Sequence, residues 1–351
     1  MSDKLLYIIG AGASANALPL VKDSPNNKVP GLRRALKSLH TKLWHNENPM
    51  HGFSTKFLLP FCNNLQWLYK ESESYSSIDT YAKYLYEKRD YENFDRLKFT
   101  LSIFFILEQF YKNKQDKRYA SWVTSLLKKQ MFPKNINILS WNYDFQIQRA
   151  ASEYKQEHSH HGEGAYMKRS PLIEYYPPIG NHFPLSTPDY DLNEFRLVHL
   201  NGIAGFFHKE DIHHIENFFN NTDSIVSAMN SMIDSPEKFK HLLTFAFETQ
   251  QGRTGIGRRI EVAKSAAMDT TTIVIIGYSF PFFNSEVDKT IFEVLKESGK
   301  LKTIYVQDPS MDVKKIYRQF NLDSSTVEIE AIKSTESFFI PPEFSPIYIF
   351  D

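Results

Sequence analysis

Leu5-Leu-Tyr-Ile-Ile-Gly10-Ala-Gly12-Ala-Ser14 is the stretch on which the fold turns. Five apolar residues in a row are too short for a helix and suit a strand buried on both faces, and the glycines directly after them mark a tight turn. The same signature recurs downstream. Asn137 to Ser140 runs into Trp141-Asn142-Tyr143-Asp144 and a helical stretch from Phe145 to Ala151. Phe195 to Leu200 closes with His199-Leu200-Asn201-Gly202. Thr271 to Ile276 is β-branched and leads into Gly277-Tyr278-Ser279-Phe280-Pro281, and Lys302 to Gln307 reaches Asp308-Pro309-Ser310.

Between these strands the period changes. From Gly31 to about Lys129 apolar residues return at helical spacing, as in Leu32, Ala35, Leu36 and Leu39, then Leu97, Leu101, Phe104 and Phe105. Residues 155 to 191 read as an irregular excursion with a strand at Leu172 to Tyr176, and a second, mainly helical block is expected at about 205 to 250. Strands alternating with helices predict one α/β domain. Its sheet is mostly parallel with helices on both faces, and helical insertions fall at about 31–130 and 205–250.

Composition narrows the function. The 351 residues hold 41 Lys plus Arg against 41 Asp plus Glu, so no global field draws the chain to nucleic acid or an anionic membrane. The single cysteine, Cys62, excludes an internal disulfide and any zinc module built on paired CxxC motifs. No apolar run approaches the ~18 residues of a spanning helix, and the N-terminal residues lack the pattern of a signal peptide. A soluble, unprocessed, cytoplasmic protein is the expectation.

Gly10, Gly12 and Ala15 satisfy G-x-G-x-x-G/A directly after a strand, the Rossmann-like arrangement in which backbone approaches a pyrophosphate and a following helix N-terminus donates amides. Ser14 adds a hydroxyl donor or a cap; a plain turn explains the glycines equally well. The interval after it carries Pro25, Pro30 and a helix where a dehydrogenase would place its ribose-binding acid. Asp308, at the end of a late strand, is an alternative ribose contact or simply a turn residue before Pro309. Asn142 and Asp144 suit either a crevice at the strand ends or a helix N-cap. His199 suits proton transfer or a satisfied strand-end histidine. Gly277, Tyr278 and Ser279 suit contact with the adenosine half of a dinucleotide or one more corner.

Three other features read first as ordinary surface. His158, His160 and His161, and His208, His213, His214 and Glu216, lack a complete metal-ligand spacing. Gly252 to Arg259 suits a phosphate or a basic helix entry, and Ser77-Ile78-Asp79-Thr80 looks like a helix start.

Taken in order, Gly10-Ala11-Gly12-Ala13-Ser14, Trp141-Asn142-Tyr143-Asp144, His199 with Gly202, and Gly277-Tyr278-Ser279-Phe280-Pro281 resemble the motif set of SIR2-like (sirtuin-related) domains of the bacterial antiphage-defence type. The resemblance implies NAD as substrate, with Gly10 to Ser14 around its phosphates. It also implies Asn142 near the nicotinamide ribose, His199 acting on that ribose, and Asp144 at the nicotinamide end. Hydrolysis to nicotinamide and ADP-ribose follows from it, without a metal, in a homo-oligomer partnered by a HerA-like ATPase or an Argonaute-type protein. The chain departs from deacylating sirtuins: Ala17 to Lys22 replaces their G-I-P-x-F-R element, the four-cysteine zinc module is missing, and His-Gly is stretched to His199-Leu200-Asn201-Gly202. A deacylase, or a module that senses NAD or ADP-ribose without turnover, is the alternative.

Overall fold

A computed structural model describes residues 3–23, 28–45, 50–128, 131–158, 172–177, 194–208, 222–234, 238–251, 256–309 and 312–345. Strand β1 (Leu5–Ile9) is followed by five helices, α1 (Leu32–Trp44), α2 (Thr55–Glu71), α3 (Ile78–Glu87), α4 (Tyr91–Ile106) and α5 (Lys117–Leu126). Next come β2 (Ile136–Ser140), α6 (Gln146–His158), β3 (Tyr175–Tyr176), β4 (Leu197–His199), β5 (Gly202–His208), α7 (Thr222–Asp234) and β6 (Phe239–Leu243). The remainder is α8 (Ile256–Ala267), β7 (Thr272–Ile276), α9 (Ser285–Ser298), β8 (Thr303–Gln307), α10 (Val313–Phe320) and β9 (Glu328–Ala331). Seven strands form one α/β sheet in the order β3-β4-β2-β1-β7-β8-β9, each parallel to its neighbours.

Alternation along β1 explains why its whole length is apolar. Leu6 and Ile8 enter a core with Val262 and Ala266 of α8, Ile291 and Leu295 of α9, and Phe320 of α10. Leu5, Tyr7 and Ile9 face the opposite core, with Trp122 and Val123 of α5, Ile147 and Ala150 of α6, and Phe338. A strand covered on both sides has no solvent face to mark with polar residues, and each fully buried Leu or Ile contributes about 1.5–3 kcal/mol. A third core joins α1 to α4 with α7, β5 and β6, and it includes Leu18 and Phe145 from the loops after β1 and β2, and Ile203 from the start of β5. The helical block is thereby seated on the carboxyl ends of the central strands.

The first block holds helices and no strand among its described residues, and Ser77 caps α3 by accepting from the Thr80 amide at 3.2 Å. The second block departs from its helical reading. Gly202, at φ +69, turns the chain straight out of β4 into β5, which pairs antiparallel with β6. A Cβ at Gly202 would strike the Leu242 carbonyl, so close approach within this hairpin is what requires glycine there. The edge strand β9 has no counterpart in the sequence pattern, since Glu328 and Glu330 alternate with Ile329 and Ala331 on a largely exposed edge.

Two glycines separate sterics from conformation. Gly277 and Gly299 both have positive φ, +56 and +62, but a Cβ on Gly277 would lie 2.6 Å from Gly12 Cα whereas one on Gly299 meets nothing within 4 Å. Gly299→Ala is expected to cost about 1 kcal/mol, and Gly277→Ala more than about 3 kcal/mol, in urea denaturation. Equal losses would refute the claim that the Gly277 contact is structural.

Candidate functional site

The order of strands reverses at the β1/β7 boundary, the place where open parallel sheets form a crevice outside their carboxyl ends. The turns leaving these two strands interlock there. The Gly10 amide donates to the Ile276 carbonyl at 3.0 Å and the Gly12 amide to the Gly277 carbonyl at 2.9 Å. A Cβ on Gly10 would sit 2.6 Å from the Gly277 carbonyl oxygen, and one on Gly12 2.8 Å from Gly277 Cα. The glycines thus serve backbone-to-backbone packing first. The Ala13 amide is engaged as well, to the Gly10 carbonyl at 2.9 Å. The expected α-helix directly after this turn is replaced by one 3-10 turn, Ala11–Ser14, and the first α-helix starts at Leu32. Gly12 and Ala13 therefore do not present free amides, while Ala11 and Gly12 remain part-exposed at the rim.

Ser14 is buried beneath that rim and joins three chain segments. Its hydroxyl donates to Asp144 Oδ2 at 2.6 Å, contacts the Tyr119 hydroxyl at 2.9 Å, and accepts from Asn142 Nδ2 at 3.2 Å. With the carboxylate taking the serine proton, Tyr119 must donate, and the hydroxyl is fully satisfied. Asp144 has two functions, since its Oδ1 also accepts from the Gln146 amide at the start of α6, 3.2 Å away. Burial raises the Asp144 carboxyl to about 6 against the hydrogen bonds from Ser14, Gln146 and Asn142.

His199, at the end of β4, faces the same corner. Its Nδ1 lies 3.3 Å from the Asn142 carbonyl, and its Nε2 lies 2.6 Å from Gln148 Nε2 on α6. A carbonyl can only accept, so Nδ1 carries the proton and Nε2 takes one from Gln148. Burial pulls the imidazole down from 6.5 to about 4, helped by the charge of Arg259 and opposed by the bond to Asn142. Asn201 donates to the Trp141 carbonyl at 3.2 Å, and Arg259 donates to the Leu200 carbonyl at 3.2 Å and to Thr244 Oγ1. Around this corner Asn142 Oδ1, Gln148 Oε1, Asn201 Oδ1 and Arg259 Nε are buried without a partner. Such groups are uncommon inside proteins; two of these stand on the corners after β2 and β4 and two on helices α6 and α8, and water or a polar ligand would satisfy them.

The other expected contacts lie along the same sheet edge. The Gly277 amide bonds the Gln307 carbonyl at 3.1 Å, which puts Asp308, half-buried, beside the β7 corner. Ser279 is exposed, and Lys315 reaches its carbonyl at 3.3 Å. Tyr278 turns inward: its hydroxyl donates to Asp288 at 2.8 Å and accepts from Asn284 at 3.0 Å, and its ring stacks on Trp141 at 5.8 Å. What Tyr278 offers a ligand is backbone. Asp79 receives the Tyr143 hydroxyl at 3.0 Å. The C-terminal end of its helix borders a cleft of about 320 Å3 with Phe247, Phe282 and Glu286, and this cleft is lined by none of the residues above.

Sequence reasoning missed Tyr119 and Gln148. Gln148 carried a usable signal, standing in the first turn of the helix that follows the Asn142–Asp144 corner; Tyr119 carried none. The side chains of His158 and His208, and all of His160, His161, His213, His214, Glu216 and residues 252–255, lie outside the described residues. No protein-family model matches the chain, and no curated protein matches it either.

His199 and Asp144 make opposite pH statements. The folded imidazole is depressed, so its contribution is present above about pH 6.5 and is lost as pH falls toward 4; the span is worth about 3 kcal/mol. Asp144 is raised, so its contribution is present below the ordinary carboxyl range and is lost as pH rises through about 6. Urea denaturation between pH 4 and 8 should show a shallower acid limb for His199→Gln and a shallower decline toward neutrality for Asp144→Asn. Curves parallel to wild type would refute both burial arguments.

Proposed function

We propose that this chain cleaves the bond between nicotinamide and ribose in NAD, giving nicotinamide and ADP-ribose, on a doubly wound, Rossmann-like sheet of the sirtuin-related type. One observation carries the reading. Ser14, Asn142, Asp144 and His199, from three distant strand ends, form one buried hydrogen-bonded group with unpartnered amide oxygens beside it. Three acceptor oxygens suit a ligand that presents hydroxyl donors, as the nicotinamide ribose does.

In this mechanism the C1′–N bond breaks with its electron pair passing to the pyridinium nitrogen, so nicotinamide leaves neutral. A water oxygen bonds C1′ of the oxocarbenium-like ribose, and its proton passes by way of a ribose hydroxyl to His199 Nε2 and then to solvent. The leaving group is good, so a weakly basic imidazole suffices, and most of the gain comes from holding ribose and water in place. Asn142 Oδ1 orients the water or a ribose hydroxyl, and Asp144 fixes Ser14 and, through it, the Asn142 amide. No metal is required. Gly10 to Ser14, Gly277 to Ser279 and Asp308 line the adjoining edge for the phosphates and the second ribose. There the hydroxyl of Ser279 and the ammonium of Lys315 supplement a glycine turn whose amides are largely engaged.

From the resemblance alone we place the activity in the cytoplasm as the NAD-depleting effector of a bacterial antiphage system. The same resemblance gives it homo-oligomeric form and a HerA-like ATPase or Argonaute-type partner. No described helix is long and apolar enough to cross a membrane.

Chromatography of NAD incubated with the protein tests the chemistry. Nicotinamide and ADP-ribose should appear without added peptide, and His199→Ala and Asn142→Ala should each slow release by about 100-fold. Undiminished release by both variants refutes the assigned roles. Acetyl-ADP-ribose formed only with acylated peptide would make the protein a deacylase, and saturable NAD binding without nicotinamide would make it a sensor.

A further inference from the structure

We infer that Gln148 is a positioning residue for His199: its amide fixes the imidazole tautomer at rest and yields Nε2 to a substrate hydroxyl. The inference rests on the NAD reading above and deepens it. Two hydrogen bonds define the resting ring, Nδ1–H to the Asn142 carbonyl at 3.3 Å and Gln148 Nε2–H to imidazole Nε2 at 2.6 Å. The lone pair needed for proton transfer is therefore occupied in this structure. Gln148 is itself frustrated: it is 8% exposed, and its Oε1 has no partner.

A ligand with neighbouring hydroxyls resolves both conditions together. One O–H donates to imidazole Nε2 in place of Gln148, and the released amide donates to that hydroxyl's oxygen while its Oε1 accepts from the next hydroxyl. Each atom then has a complementary partner. A cis-diol answers this description better than an isolated phosphate, which at neutral pH brings mainly acceptors to a site already rich in them. The charged group that acts on the ring is Arg259, and its guanidinium bonds the Leu200 carbonyl and Thr244 Oγ1, not Nε2. Gln148 is thus the side chain that holds that atom.

Two variants test this. Gln148→Met keeps the length and removes the hydrogen bonds; Gln148→Glu keeps acceptor oxygens and places a carboxylate beside Nε2. Long-range 1H–15N correlation spectra of the free protein should show the Nδ1–H tautomer in wild type. In Gln148→Glu the imidazole should titrate at least about one pH unit higher, a tenfold change in its proton affinity. In Gln148→Met nicotinamide release should fall about tenfold in kcat, with both variants folded by thermal denaturation. The pH–rate profile of Gln148→Glu should shift upward with the imidazole. A His199 titration and tautomer unmoved in both variants overturn the inference, with or without turnover. A pH–rate profile superimposable on wild type overturns it as well. A shifted titration in a protein that never releases nicotinamide overturns the NAD reading and leaves the coupling between Gln148 and His199 standing.

Discussion

The molecule is organised by a contact between backbones. The turn leaving β1 and the turn leaving β7 touch through Gly10, Gly12 and Gly277, with no side chain between them and with amides of one bonded to carbonyls of the other. Side chains at an interface can change rotamer to absorb a displacement; two peptide planes in contact cannot. The position of Ser14 relative to the sheet follows, and with it the reach of its hydroxyl to Asp144 and Asn142. The glycine turn is first a joint between strands, and the polar group it locates lies one turn further on.

A second joint ties the helical block to the same corner. At the end of α4 the helix widens into a π turn, Leu107–Tyr111, a geometry that recurs at functional sites. Gln109 in this turn accepts from the Phe145 amide at 2.8 Å, and Arg149 donates to the Gln109 carbonyl. Gln146 spans from Gln109 to the Asp116 amide, which it meets at 2.7 Å. Buried amide side chains of this kind leave little slack, since an unpaired one costs about 1–3 kcal/mol. The block and the corner after β2 move together or lose these bonds.

The sequence was legible where local chemistry and tertiary role agree. β1, β2, β7 and β8 are short apolar runs ended by glycine or polar residues, and their corners stood out for that reason. The helices of the first block declared themselves by period and by caps such as Ser77. Legibility failed where the role is set by a distant partner. The run from Gly202 to His208 becomes a strand because Phe239–Leu243 lies opposite it, and nothing nearby in the chain says so. Tyr119 and Gln148 sit in ordinary helices, and their significance comes from Ser14 and His199 across the fold. Asn142 and Asp144 were ambiguous between cap and site; Asp144 accepts the Gln146 amide as a cap does and also takes the Ser14 hydroxyl, while the Asn142 amide reaches Ser14.

Burial inverts the usual order of acidity in the corner beside His199. In water a carboxyl is a far stronger acid than an imidazolium, yet here Asp144 rises to about 6 and His199 falls to about 4. On acidification the carboxylate is neutralised before the ring gains its charge. The pair therefore passes from net −1 through zero to +1 and never becomes a zwitterion in quantity. Near neutrality the ring is uncharged, and the charge acting on it from its surroundings is the Arg259 guanidinium.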